Sequence, residues 1–171
     1  MSRIAEEYQN HHYFGHTCHR WWASDDILVG GTIYNAADWQ RLKQTYGVSA
    51  CVNVENEHSD VDNKIDLLIE ARAPDDGSSR TIKSFHDVFN FVHGVLKPDP
   101  KAKFYVHCQM GGSRSPAYAY GILRANYKLS SSYALGLLQR NMINSYGIHP
   151  FHTVYLQSAE LAIATWAPVA S

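Results

Sequence analysis

The chain has 171 residues, is 45% hydrophobic and 18% charged, and carries a formal net charge of -1. That is enough apolar side chain for one domain with a real core, with no global surplus of charge to suggest nucleic acid or an anionic membrane as partner. Three cysteines make no disulfide framework, no segment approaches the roughly 20 apolar residues of a membrane span, and the start of the chain lacks the apolar core of a signal peptide. The expectation is a single domain over residues 1–171, with residues 1–24 an N-terminal extension packed on the core, working in the reducing cytoplasm.

Five potential metal ligands, His11, His12, His16, Cys18 and His19, crowd the N-terminus. Their spacing fits no zinc pattern, and surface histidines with no bound metal are expected. Beyond them, Ile27–Gly30 reads as the opening strand. The stretch from Asn35 to Gly47 reads as a helix, with a capping side chain before it and glycine after it. Strands are expected near Ser49–Val54 and Ile65–Ile69. Thr81 is placed to cap a helix whose Ile82, Phe85, Phe89, Val92 and Leu96 have helical spacing, with Pro98 and Pro100 past its end.

The apolar run Lys103–His107 then predicts a buried strand, and Ser113–Asn126 a helix that tolerates Pro116 in its first turn. Ser130–Ser132 opens a helix to about Asn141, and Pro150–Phe151 starts another with Val154, Tyr155, Ala159, Ala162 and Trp166 on one side. The alternation predicts an α/β fold: a central, mostly parallel sheet of four to five strands flanked by helices, with its site at a strand's C-terminal end.

That site is legible between the cysteine strand and its helix. Cys108 and Arg114 bracket Gln109, Met110, Gly111, Gly112 and Ser113, so backbone N–H groups can converge on an anion where the helix dipole adds to their pull. The two glycines let the chain fold that tightly. The N–H groups, the helix N-terminus and a guanidinium all favour a thiolate at Cys108, the nucleophilic form. Arg114 offers a planar fork for two phosphate oxygens. The chemistry predicted is attack on phosphorus, a phosphocysteine intermediate and hydrolysis by water, with Ser115 donating a hydrogen bond to the thiolate. His107, one residue earlier on a strand, points to the other face and has a supporting role.

The segment His107-Cys108-Gln109-Met110-Gly111-Gly112-Ser113-Arg114-Ser115 resembles the signature loop of the cysteine-dependent protein phosphatases, the dual-specificity branch especially. Ile27–Gly31 is similar to the opening strand of that fold and Ala50–Val54 to its second strand. The resemblance implies a tyrosine-phosphatase-like fold, no cofactor, and a general acid on a loop some thirty residues before the nucleophile. Asp75, after Pro74 and before Asp76-Gly77, fills that place, although Ala73 stands where the tyrosine phosphatases carry Trp. Asp76 is the alternative, because some small relatives carry a paired Asp in this loop. The segment Asn144–Phe151 is a stretched form of the Asn-x-Gly-Phe turn of dual-specificity enzymes.

Gln109, Met110 and Gly112 carry no charge, whereas phosphoinositide phosphatases often place Lys or Arg there. A singly phosphorylated protein or peptide, on Tyr or on Ser and Thr, is the expected substrate. A lipid phosphatase is the alternative, since His19–Gly31, with the pair Trp21-Trp22, resembles the lead-in of phosphatidylglycerophosphate phosphatases. A phospho-binding module with little turnover is the third reading. Cys51, on the strand expected beside Cys108, is read as a buried structural thiol, with a protective disulfide to Cys108 as its rival. The oligomeric state is left open.

Overall fold

The computed structural model describes residues 12–13, 16–17, 20–72, 79–109, 114–146 and 153–168. In chain order the strands are β1 (His12–Tyr13), β2 (His16–Thr17), β3 (Trp21–Trp22), β4 (Ile27–Gly30), β5 (Ala50–Asn53), β6 (Leu68–Glu70) and β7 (Phe104–His107). The helices are α1 (Ala36–Tyr46), α2 (Ser79–Leu96), α3 (Arg114–Ala125), α4 (Ser131–Tyr146) and α5 (Thr153–Thr165). β1 and β2 pair as a small antiparallel ribbon, and the other five strands form one sheet in the order β3-β4-β7-β5-β6. Every pairing in that sheet is parallel except β3 with β4, the mostly parallel α/β sheet that the alternation predicts.

Because side chains alternate along a strand, the sheet has two different faces. Ile27, Val29, Ala50, Val52, Phe104, Val106 and Cys108 face α2–α5 and join the larger core with Phe85, Phe89, Tyr118 and Ile122. Leu28, Cys51 and Tyr105 point the other way and pack on Trp39, Leu42 and Tyr46 of α1. The rings of Phe85 and Tyr118 stack at 3.9 Å, fastening α2 to α3.

Local signals place several boundaries. The Asn35 side chain accepts a hydrogen bond from the Asp38 N–H, and Gly47 closes α1 at φ 74°, the left-handed geometry that favours glycine. The Ser130 hydroxyl accepts the Tyr133 N–H at the start of α4. Three expectations shift. β6 starts at Leu68 instead of Ile65, after a bend that follows Lys64 at φ 56°. α2 begins at Ser79, so Thr81 is a buried residue inside its first turn and not its cap. α4 runs past Asn141 to Tyr146, and Asn141 serves a tertiary contact, donating to the Ala23 carbonyl at 2.9 Å. Pro150 and Phe151 lie outside the described residues, and α5 begins at Thr153.

Trp21 and Trp22 form the edge strand β3, with Trp21 fully buried in the larger core and Trp22 in the smaller one. The pair is therefore part of the sheet itself. His11, Cys18 and His19 lie outside the described residues, as do the side chains of His12 and His16.

Candidate active site

β7 runs up the middle of the sheet and delivers Cys108 at its C-terminal end. Both neighbouring strands pin this exit. The Cys108 N–H donates to the Gly30 carbonyl at 3.3 Å, and the Val54 N–H donates to the His107 carbonyl at 2.9 Å. One residue on, Thr32 holds the Gln109 carbonyl through its N–H at 3.2 Å. At Gly30 a β-carbon would fall 2.4 Å from the Tyr105 hydroxyl, which donates to the Gly31 carbonyl at 2.5 Å, so only glycine fits where β4 passes β7.

From Arg114 the chain enters α3, with both Arg114 and Ser115 in its first turn. The Cys108 Sγ lies 3.2 Å from the Ser115 Oγ, and both groups are buried. Arg114 is held by a carboxylate from another loop. Its Nη2 donates to Glu57 Oε1 at 2.8 Å and its Nη1 to Glu57 Oε2 at 3.2 Å, a two-pronged pair. Burial pushes the Glu57 carboxyl up, but the hydrogen bonds from Arg114 and from backbone amides outweigh it and hold the group below the ordinary carboxylate range. Met110, Gly111, Gly112 and Ser113 lie outside the described residues, and so do Asp75 and Asp76. The chain enters the segment bearing those acids from a braced point, where Tyr118 of α3 donates to Ser84 at 2.7 Å and the Ser84 hydroxyl donates to the Ala71 carbonyl.

His107 turns away from Cys108, as strand alternation predicts, and is buried between two carboxylates. Its Nε2 is 2.5 Å from Asp60 Oδ2, and its Nδ1 is 3.5 Å from Glu55 Oε2. Glu55, fully buried, also accepts from the Thr32 hydroxyl at 2.8 Å and meets His58 Nδ1 at 3.0 Å. Asp60 further accepts from the Asn63 amide at 2.8 Å. Desolvation pulls His107 down, but the neighbouring Cys51, the hydrogen bond to Asp60 and the nearby Glu55 prevail and hold it well above its ordinary value. The Cys51 thiol, 3.8 Å from Asp60, is pushed up by burial to about 11.

Among the described residues, Cys51, Asp60 and His107 are the one group of three metal-ligating side chains whose donor atoms lie within 4.8 Å of one another. Two ligands of a tetrahedral zinc ion, with bonds of about 2 Å, stand about 3.3 Å apart. The 2.5 Å contact between His107 and Asp60 is instead a direct hydrogen bond. The same geometry sets Cys51 against Cys108. Cys51 pairs in register with Tyr105 and belongs to the α1 face, whereas Cys108 belongs to the other face. Thiols on opposite faces of a sheet cannot reach disulfide geometry without moving the backbone.

Glu55, Glu57 and Asp60 were not singled out as site residues by sequence reasoning. Their signal was position: all three follow the C-terminal end of β5, the sheet edge where sites of parallel α/β folds gather.

The strand order, the cysteine at the end of the central strand and the helix behind it make up the tyrosine-phosphatase-like fold of the cysteine-dependent phosphatases. Solved structures with this fold superpose over most of the chain. The PTP-2 phosphatase of Cydia pomonella has a TM-score of 0.64 at 16% identity, over 82% of this chain and 88% of its own. PTPMT1 in complex with PI(5)P reaches 0.67 at 14%, over 85% and 94%. Human DUSP28 reaches 0.65 at 14%, over 85% and 93%. At these identities the likeness is one of fold. No protein-family model matches the chain, and no curated protein does. Among the described residues no helix is long and apolar enough to cross a membrane.

Proposed function

We propose that the protein is a cysteine-dependent phosphatase acting on singly phosphorylated protein side chains. The observation that carries the reading is the placement of Cys108 between the end of β7 and the first turn of α3, 3.2 Å from the Ser115 hydroxyl and with Arg114 beside it. In the proposed course the Cys108 thiolate attacks phosphorus and the ester P–O bond breaks. The departing oxygen takes a proton from Asp75, or from Asp76 as the alternative acid. Water, deprotonated by the same carboxylate, then attacks phosphorus, the S–P bond breaks and inorganic phosphate leaves. Ser115 donates to the sulfur and makes it a better leaving group. Backbone N–H groups over Gln109–Ser113 and the Arg114 guanidinium bind the phosphoryl oxygens and tighten on them as the group flattens. His107 has a supporting role. No cofactor enters this course, and residues 1–171 act as one domain in the cytoplasm.

A lipid phosphatase is the second reading, favoured by the likeness of fold to PTPMT1, a protein solved with PI(5)P. Phosphate release from phosphopeptides, phosphoinositides and phosphatidylglycerophosphate compared side by side separates the two. Peptide turnover is expected, and turnover of lipid alone overturns the protein reading. A third reading is binding with little turnover; one structure of similar fold is named a human tyrosine phosphatase-like serine/threonine/tyrosine-interacting protein. Loss of the acid distinguishes an enzyme: Asp75→Ala should slow alkyl phosphates about 100-fold more than activated aryl phosphates, whose leaving groups need no proton. If Asp76→Ala shows that bias and Asp75→Ala does not, the acid is Asp76.

A further inference from the structure

The pairing of Arg114 with Glu57 bears on which phosphates the site accepts. We infer that Glu57 sets the charge selectivity of the site, turning away substrates that carry a second phosphate beside the one being removed. The inference rests on the phosphatase reading above.

Glu57 takes both terminal nitrogens of Arg114, at 2.8 and 3.2 Å. A phosphate gripped by the same guanidinium then lies along another edge of the planar group, with phosphorus about 6–8 Å from the Glu57 carboxylate. That is within the screening length of about 8 Å at physiological salt. The Glu57 side chain is 34% exposed and that of Arg114 16%, so the pair is only partly screened. As a pair the two side chains carry no net charge. The pull on one phosphate therefore comes mainly from the backbone N–H groups and the N-terminus of α3, and a second phosphate nearby meets Glu57 instead of a cation.

Among the described residues, the groups flanking the pair are uncharged or already engaged. Gln109 is uncharged and exposed, and His58 is bonded to the buried Glu55. Of the basic residues before and within α2, Arg72 stands 3.7 Å from Glu70 and Lys83 2.7 Å from Asp87. Selectivity for a single phosphate is thus built partly from an acidic side chain on the phosphate-binding arginine, in addition to the uncharged loop positions.

The test measures kcat/KM for removal of the phosphotyrosine phosphate from a peptide and from the same peptide carrying phosphoserine at the next position. The full chain, Glu57→Gln and Glu57→Asp are compared, with melting temperatures checked for each. The unaltered protein should favour the singly phosphorylated peptide about tenfold. Glu57→Asp should keep that preference, Glu57→Gln should reduce it to about threefold or less, and raising salt to about 0.5 M should reduce it in the unaltered protein as well. If Glu57→Gln does not fold, the salt arm decides. Turnover without the preference, or a preference that survives both Glu57→Gln and high salt, overturns the inference and leaves the phosphatase reading standing. Absence of turnover on both peptides by the unaltered protein overturns the phosphatase reading itself.

Discussion

Cys51 and Cys108 stand on adjacent strands of one sheet, both buried and neither in a disulfide, yet their surroundings prepare them for different work. Cys51 sits mid-strand on the α1 face beside Asp60 and His107, where burial pushes its thiol up to about 11. Cys108 ends its strand on the opposite face, beside the Ser115 hydroxyl and at the first turn of a long helix. One extra step along β7 would place a thiol on the wrong face and away from the helix N-terminus. On the proposed mechanism, the contrast between the two thiols comes from register as much as from residue type.

The largest expected effect separates these two sites by activity. Cys108→Ser should reduce phosphate release to background while the variant still folds, because serine lacks the sulfur nucleophile of the proposed mechanism. Cys51→Ala should keep kcat within about threefold and lower stability by about 1 kcal/mol through the small void it leaves. Loss of activity in Cys51→Ala with an unchanged fold would erase the contrast.

Removing a partner of the buried histidine comes next. Asp60→Ala leaves His107 next to Glu55 alone and should cost about 3 kcal/mol in denaturant unfolding. A loss under about 1 kcal/mol would mean that His107 does not depend on Asp60 for its charge.

The pH dependence is a smaller and slower test of the same region. A thiol raised in the folded state from its ordinary value near 9 to about 11 loses fewer protons when folded than when unfolded across that interval. Stability should be level below pH 9 as far as Cys51 is concerned, then fall by about 2–3 kcal/mol as pH rises to about 11. His107, also raised, acts in the same direction. Cys51→Ala should flatten the alkaline decline, as read from urea unfolding at a series of pH values, and an unchanged slope would remove Cys51 from the account.

How much of this was legible in sequence depended on distance along the chain. The strand, loop and helix around Cys108 are contiguous, and α1 carries its own start and stop in Asn35 and Gly47, so local chemistry was enough to place them. The turn of His107 away from Cys108 followed from strand alternation. The partners that occupy Arg114 and His107 lie 57 and 47 positions earlier, joined only by the strand order β7-β5, and no periodicity reports such pairings. β3 escaped notice because two tryptophans are too short a run to show alternation. Cys51 is a buried thiol, as its place on an apolar strand suggests, and its register beside Tyr105, three positions before Cys108, is a pairing that only the sheet reveals.

The central claim is that Cys108 becomes phosphorylated during turnover. Rapid acid quenching of the protein with an excess of phosphotyrosine peptide, followed by tryptic mapping, should find phosphate on the peptide spanning residues 104–114, at Cys108, with none at Cys51 and none in Cys108→Ser. Turnover that persists in Cys108→Ser, or a phosphoenzyme labelled elsewhere, would contradict the account.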